Sequence, residues 1–139
     1  MKKFTATSIL ALTLLLGVSS SAFAATYSDV EPNNTVATAS HFAAADGNQI
    51  TGDLNGSDPQ DYYTFTAQKT QKMRFQISYS KAGGQFLRLK VGTSVTSETI
   101  DYVDVNLVAG TTYTIRIDPF VTNTSVGSSY NVYTYALTN

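Results

Sequence analysis

The second half of the 139-residue chain is dominated by short segments in which apolar and polar residues alternate one by one. In Met73–Tyr79, for example, a polar residue separates each apolar or aromatic residue from the next. Successive side chains of a β-strand point to opposite faces, so a period of two predicts strands with one buried and one exposed face. Turn-forming residues separate these segments. The pattern therefore constrains the chain to an all-β fold.

Seven segments have the alternation or the composition of strands, at residues 49–54, 62–66, 73–79, 87–91, 103–107, 113–117 and 130–137. Short strands joined by frequent turns are typical of two sheets packed face to face. The sequence predicts an antiparallel, jelly-roll-like β-sandwich of about seven or eight strands. Residues 37–45 are rich in alanine and predict one short helical turn. The apolar parity changes within the last strand, which predicts a bulge or burial on both faces.

The N-terminus has the three parts of a secretory signal peptide. Lys2 and Lys3 form a basic region, Ile9–Val18 forms an apolar region, and Ala-Phe-Ala at 22–24 forms a cleavage site. The apolar run is too short to span a bilayer comfortably. We therefore expect residues 1–24 to be removed and the mature protein to be secreted to the extracellular space, without a membrane span.

Cleavage leaves residues 25–139, which we expect to form one domain of ordinary size. The chain has 9 basic and 10 acidic residues; loss of the two N-terminal lysines leaves 7 against 10, a net charge of −3. A negative charge gives no reason to expect nucleic-acid binding. The chain contains no cysteine, so an exported domain cannot use disulfides, and a structural metal is the expected substitute.

Acidic residues are concentrated near the mature N-terminus. Six of the ten lie between positions 29 and 61, and no lysine or arginine occurs between Lys3 and Lys69. Carboxylates gathered in a fold without countercharge are costly, and a hard cation such as Ca²⁺, which takes about six to eight oxygen ligands, removes that cost. The alternative is that these are solvated turn and capping residues. The candidate calcium ligands are Asp29, Glu31, Asn33, Asn34, Asp58 and Asp61.

Two segments, Glu31-Pro32-Asn33-Asn34-Thr35 and Asp58-Pro59-Gln60-Asp61-Tyr62-Tyr63-Thr64-Phe65, resemble the motifs of the bacterial pre-peptidase C-terminal domain. That family is related to the collagen-binding domain of clostridial collagenases. The resemblance implies a Ca²⁺ site made by the acidic and amide residues of these motifs, with Asp29 as a looser match because it precedes the first motif. In such relatives the domain usually follows a secreted peptidase, whereas here we expect a free-standing domain.

Three tyrosines are candidates for a ligand-binding face. Tyr102, Tyr133 and Tyr135 occupy strand positions that we expect to face solvent. Aligned tyrosines on a flat sheet suit sugars or extended polypeptide, because each ring offers apolar area and one hydroxyl. In the collagen-binding relatives a tyrosine-bearing sheet face contacts the ligand, although no motif identifies the matching positions here. The alternative is that they are ordinary strand residues. We expect Tyr63 and Phe65 to lie in the core.

No catalytic set is recognisable in the sequence. There is no thiol, and the one histidine, His41, lacks a patterned serine or acid partner. We therefore expect no enzymatic activity, but a calcium-stabilised extracellular module that binds a protein or polysaccharide polymer. Two alternatives remain open: an inhibitor or chaperone acting on a separate secreted hydrolase such as a peptidase, and a matrix or surface protein that assembles through strand edges.

Overall fold

The computed structural model describes residues 24–81, 85–121 and 127–138, so the predicted signal peptide lies outside the described residues apart from Ala24. The described residues contain ten strands and one short 3₁₀ helix, Val36–Thr38. The strands are β1 (Thr26–Ser28), β2 (Ser40–His41), β3 (Gln49–Leu54), β4 (Asp61–Thr66), β5 (Gln71–Tyr79), β6 (Leu87–Val91), β7 (Ser94–Val95), β8 (Tyr102–Leu107), β9 (Thr112–Pro119) and β10 (Ser128–Leu137).

The strands form two five-stranded sheets that enclose one core. Sheet 1 has the order β1-β3-β10-β5-β8, and sheet 2 has the order β2-β4-β9-β6-β7. The predicted all-β sandwich is confirmed. It is not wholly antiparallel, because β1 pairs with β3, and β2 with β4, in parallel. Among the described residues, no helix has the length and hydropathy needed to cross a bilayer.

The predicted number of seven or eight strands was too low by two or three. All seven predicted segments are strands, and the three additional ones are β1, β2 and β7, each of two or three residues. Segments this short cannot display a period of two, so the pattern that identified the other strands is absent from them. All three lie at sheet edges, where pairing to a single neighbour creates them.

The core consists of the inward-facing residues of both sheets, as the alternation predicts. Phe65 lies near its centre, with ring centroids 5.3 Å from Phe42, 5.5 Å from Phe75 and 5.4 Å from Tyr113. Phe65 and Tyr63 are both almost completely buried, which confirms their predicted core position. Burying one such side chain contributes roughly 1.5–3 kcal/mol.

The last strand is regular, so of the two expected alternatives the bulge is wrong, while the partly buried Tyr133 gives it some burial on both faces. β10 pairs with β5 in unbroken antiparallel register from Tyr130 opposite Tyr79 to Leu137 opposite Lys72. Tyr130 and Val132 are buried, whereas Tyr135 on the opposite face is 40% exposed. The apolar parity changes because the outer face of this strand also carries aromatic rings. A pattern that counts tyrosine as apolar cannot separate such a face from a buried one.

The N-terminal arm, residues 29–39 between β1 and β2, connects the two sheets. It leaves sheet 1 after β1, where the Asp29 amide donates to the Thr51 carbonyl at 2.8 Å. It then passes β4, where the Tyr62 amide donates to the Asn33 carbonyl at 2.9 Å, and enters sheet 2 at β2. Its acidic and amide residues are thereby held against the start of β4.

Candidate functional site

Four carboxylates from two distant segments meet where the arm crosses the start of β4. Asp29 and Glu31 come from the arm, and Asp58 and Asp61 come from the β3–β4 connection. When one carboxylate oxygen is taken from each residue, the four oxygens all lie within 4.8 Å of one another. Glu31 is exposed, whereas Asp61 is fully buried. The group therefore forms a pocket that is open to solvent on one side.

A tight turn holds Asp58 in position. The Asn55 amide donates to the Asp58 carbonyl at 2.9 Å, and the Asp58 amide donates back to the Asn55 carbonyl at 3.1 Å. The Asn55 side chain also accepts from the Ser57 amide at 2.9 Å. Asp61 follows as the first residue of β4, opposite Ile117, with its side chain on the inward face. The turn and the strand thus present two carboxylates toward the arm.

Both asparagines of the arm join the carboxylates. Asn33 is fully buried, and its amide nitrogen donates to Asp29 Oδ1. The Asn34 carbonyl accepts from the Gln60 side chain at 3.1 Å, which fixes the arm to the β3–β4 connection. All six sequence-predicted ligand residues therefore lie in one region of the structure.

Four side-chain oxygens in this region are buried and have no hydrogen-bond partner within the described part of the chain: Asn33 Oδ1, Asn34 Oδ1, Asp58 Oδ1 and Asp61 Oδ1. Leaving a buried acceptor unsatisfied costs about 1–3 kcal/mol, and more for a charged group. A hard cation takes such oxygens as ligands. The donor set, with oxygen atoms alone from carboxylates and amides, fits calcium by this criterion.

The electrostatics of the pocket raise the pKa of three of its acids when no cation is present. Burial raises the pKa of Asp61 to about 8, although a hydrogen bond from Tyr130 partly opposes the increase. Burial, together with the adjoining Glu31, raises the pKa of Asp58 to about 6. Burial also raises the pKa of Asp29. None of the ion pairs between described residues brings a lysine or arginine to these acids.

Two core tyrosines extend the acidic pocket inward, and the sequence pattern did not identify this role. Tyr63 Oη donates to Asp29 Oδ1 at 3.0 Å, and Tyr130 Oη donates to Asp61 Oδ2. The two phenol oxygens are 2.6 Å apart. Burial raises the pKa of both phenols above the ordinary range. Tyr63 could have been linked to the site from the sequence, because it belongs to the Asp-Tyr-Tyr segment that follows the acidic turn. No neighbouring residue in the sequence indicates such a role for Tyr130.

Glycine at position 52 makes room for the tyrosine pair. A Cβ added there would lie 2.4 Å from Tyr130 Oη and 3.0 Å from Tyr63 Oη. Such contacts are shorter than real Cβ contacts, so a larger residue must displace the phenols. The close approach explains a glycine inside β3, where glycine otherwise weakens a strand.

The three candidate ligand-binding tyrosines share the outer face of sheet 1. Tyr102 pairs with Gln76, which pairs with Tyr133, so these two tyrosines lie two strands apart in one cross-strand row. Tyr135 lies in the next row, opposite Arg74. Tyr102 and Tyr135 are each 40% exposed, and Tyr133 is partly buried. The structure therefore brings together all three residues that the sequence pattern proposed.

Arg74 lies within this face and orders part of it. Its guanidinium is 3.8 Å from the centroid of the Tyr102 ring, a cation–π arrangement. The same side chain donates to both oxygens of Asp104, at 2.7 and 3.0 Å. Arg74 is thus fixed by Asp104 and in turn contacts the Tyr102 ring. This face therefore combines aromatic rings with a charged pair of side chains.

His41 is at the edge of sheet 2, in β2. Its side chain is exposed, and Nδ1 lies 2.9 Å from Thr64 Oγ1. The contact joins two residues paired between β2 and β4. It accounts for the histidine as part of an edge-strand contact.

The fold and site together define a small β-sandwich domain with an acidic, oxygen-lined pocket under its N-terminal arm. The structure is similar to the pre-peptidase C-terminal domain of a collagenase from Bacillus anthracis, with a TM-score of 0.53 and 13% identity over 69% of this chain and 93% of that one. The sequence-based resemblance to this family is thus matched by a shared fold.

A second solved structure with the same kind of fold is Aeromonas hydrophila PliG, a periplasmic inhibitor of g-type lysozyme. The TM-score is 0.55, with 13% identity over 81% of this chain and all of that one. No protein-family model and no curated protein sequence matches the chain. At 13% identity, the two structural neighbours establish the fold and leave the function to be argued from the site.

Proposed function

We propose that the chain is a secreted, non-catalytic domain that calcium stabilises and that binds an extended extracellular polymer, either protein or polysaccharide. The observation that carries the calcium part is the convergence of four carboxylates with four buried oxygens that lack hydrogen-bond partners. The binding part rests on the three tyrosines that share the outer face of sheet 1.

Calcium would be held by Asp29, Glu31, Asn33, Asn34, Asp58 and Asp61. These residues offer at least six oxygens, which meets the coordination number that Ca²⁺ prefers. The ion would neutralise acids whose ionised forms are penalised by burial, and it would tie the arm to the β3–β4 connection. It therefore takes the stabilising role that disulfides fill in many exported domains.

The tyrosine face suits a linear ligand better than a compact one. Neighbouring strands are about 4.8 Å apart, so Tyr102 and Tyr133, separated by one strand, are about 10 Å apart. Such a spacing on a flat surface allows two rings to contact successive units of a polymer. In the described structure nothing encloses this face, which disfavours a small ligand that needs a pocket.

Sedimentation with insoluble polymers tests this function. Purified mature protein is mixed with fibrillar collagen or with a neutral polysaccharide such as cellulose or chitin, and bound protein is measured. The Tyr102→Ser/Tyr135→Ser variant should lose most binding while keeping the calcium response of the wild type. The matched control is Val108→Ser, which removes an exposed apolar side chain from the β8–β9 connection, outside the tyrosine face. Equal binding by both variants, or none by wild type to any polymer, contradicts the proposal.

A second function, inhibition of a secreted hydrolase, is favoured by one observation. The inhibitor PliG has the same kind of fold along its full length. We test it by measuring lysozyme and peptidase rates with and without a molar excess of the purified protein. Inhibition at stoichiometric concentrations, together with no polymer binding, would select this function over the first.

A further inference from the structure

The outer face of sheet 2 carries a row of side chains that the proposed function leaves without a role. Tyr62 on β4 pairs with Arg116 on β9, and Arg116 pairs with Lys90 on β6. Side chains opposite one another on adjacent strands share a face, with Cβ atoms about 4.5–5.5 Å apart. We refer to these three residues as the cationic row.

The cationic row has more positive charge than its neighbours neutralise. Asp118, in the adjoining cross-strand row, pairs with both Arg88 and Arg116. The Lys90 side chain is exposed and forms no hydrogen bond or ion pair with any described residue. One carboxylate therefore serves two arginines, and the charge of Lys90 has no partner among the described residues. Like charges directly opposite one another, as Arg116 and Lys90 are, destabilise a sheet unless an anion lies between them.

Arg116 also has an unused donor. Its Nε is buried and has no hydrogen-bond partner among the described residues, one terminal nitrogen donates to Asp118, and the side chain is still 32% exposed. The exposed part of the guanidinium, rather than the buried Nε, is suited to a carboxylate through a charge-assisted hydrogen bond. Together with the ammonium of Lys90 on the neighbouring strand, it provides two cationic donors for one anionic group.

Two open hollows flank the row and share Lys90 and Arg116 as lining residues. The first has a volume of about 200 Å³ and is also lined by Val36, Tyr62, Gly92 and Thr114. The second has a volume of about 270 Å³ and is also lined by Arg88, Thr93 and Val95. Both are smaller than the roughly 300–1,000 Å³ pockets that enclose drug-sized ligands. Each hollow suits a single unit of a longer chain.

We propose that the cationic row binds the carboxylate groups of an acidic polysaccharide made of uronic acid units. A carboxylate is placed between Arg116 and Lys90, and the sugar ring contacts the Tyr62 side chain and the hydroxyl of Thr114. This site is on the opposite sheet from the tyrosine face and is separate from the calcium pocket. Evidence against the proposed function would not affect this inference, and evidence against this inference would not affect the proposed function.

The surroundings favour a polysaccharide over an acidic peptide. Peptides that bind to sheets gain affinity from main-chain hydrogen bonds at an exposed edge. Here β9 is paired with both β4 and β6, and β6 is paired with β7 at Lys90, so the main chain at Arg116 and Lys90 is already paired on both sides. Only side chains are offered: two cations, an aromatic ring and hydroxyl groups. Charged sugar units match this set, with ring contact and hydroxyl groups in addition to the carboxylate.

Isothermal titration with oligogalacturonate tests the inference. The wild type should bind the de-esterified oligomer, and its affinity should fall as salt is added, because the contact is between exposed charges. Lys90→Gln should weaken binding by about tenfold, in line with the loss of a charge-assisted hydrogen bond. The matched control is Lys69→Gln, which removes an exposed, unpaired lysine from the β4–β5 turn and should leave the affinity unchanged.

Four results would overturn the inference. Equal binding of the fully methyl-esterified oligomer would show that the carboxylate is not recognised. Equal loss in the two lysine variants would show a nonspecific effect of net charge. Equally tight binding of polyglutamate of matched length would show that the site does not prefer a polysaccharide to an acidic peptide. Failure of folded wild-type protein to bind the oligomer at low salt also rejects it, with folding checked by circular dichroism.

Discussion

The hydroxyl oxygens of Tyr63 and Tyr130 lie 2.6 Å apart between the two sheets, and each phenol also contacts a different carboxylate of the acidic pocket. The chain from Asp29 through the two phenols to Asp61 therefore has three close oxygen pairs. When both phenols donate to carboxylates, no hydrogen lies between the two phenol oxygens. Protonation of Asp61, whose pKa burial raises to about 8, lets Asp61 donate to Tyr130 and Tyr130 donate to Tyr63, so that all three pairs are hydrogen-bonded.

Replacing Tyr130 by phenylalanine tests this network. Tyr130→Phe removes a hydrogen bond to a buried carboxylate, and we expect it to lower the free energy of unfolding by about 1–3 kcal/mol. The measurement is urea unfolding at neutral pH. Tyr135→Phe is the control, because its exposed hydroxyl makes no hydrogen bond with a described residue. Equal stability of the two variants would contradict a structural role for the buried phenol.

Gly52→Ala should be destabilising because the new Cβ would meet the Tyr130 hydroxyl at 2.4 Å. Overpacking of this kind typically costs about 1–3 kcal/mol. Gly127→Ala is a matched control, since the nearest atom to its Cβ would be the Leu54 carbonyl oxygen at an ordinary 3.5 Å. Thermal unfolding compares the two variants. If Gly52→Ala melts at the wild-type temperature, the tyrosine pair is not tightly packed against β3.

Calcium should raise the free energy of unfolding of the mature domain, and the gain increases with the logarithm of the ratio of calcium concentration to Kd. At a hundredfold excess over Kd the gain is about 2.7 kcal/mol. Asp61→Asn should abolish the difference between calcium and chelator, because it removes a buried charged ligand. Asp53→Asn, an exposed acid of β3 outside the pocket, should preserve the difference. Identical melting of metal-free and calcium-loaded wild type would reject the calcium site.

The stability of the metal-free protein should decrease as the pH rises from about 5 to about 8. Burial raises the folded-state pKa of Asp58 to about 6 and of Asp61 to about 8, from an ordinary value of 3.8. The folded state then binds more protons than the unfolded state across this window, so raising the pH favours unfolding, by on the order of a few kcal/mol. Saturating calcium should remove this loss. Chemical unfolding at several pH values, with chelator or calcium, gives the comparison.

Export should produce a mature protein that begins at Ala25. The basic and apolar regions and the Ala-Phe-Ala at 22–24 fit a cleaved signal peptide. Mass spectrometry of the protein from the culture medium measures the mature N-terminus. A full-length protein retained in the membrane fraction would contradict the interpretation.

The sequence alone predicted seven of the strands and the residues that meet in the acidic pocket, because both leave a local signal. An alternation of period two specifies a half-buried strand whatever its neighbours are, and it identified seven strands correctly. The three edge strands were missed because pairing, rather than local pattern, creates them. The sequence could predict that the two acidic segments form a cation site because an excess of unneutralised carboxylates is visible in it, and this stays a prediction.

Only the tertiary structure decided how distant residues meet. Tyr130 is 69 positions from Asp61 and reaches it because β10 and β4 lie in facing sheets. The cationic row joins residues of three strands through the pairing register, and a shift of one residue would point Arg116 into the core. Strand order and register result from burying two apolar faces against each other. This global condition does not appear in any single segment of the chain.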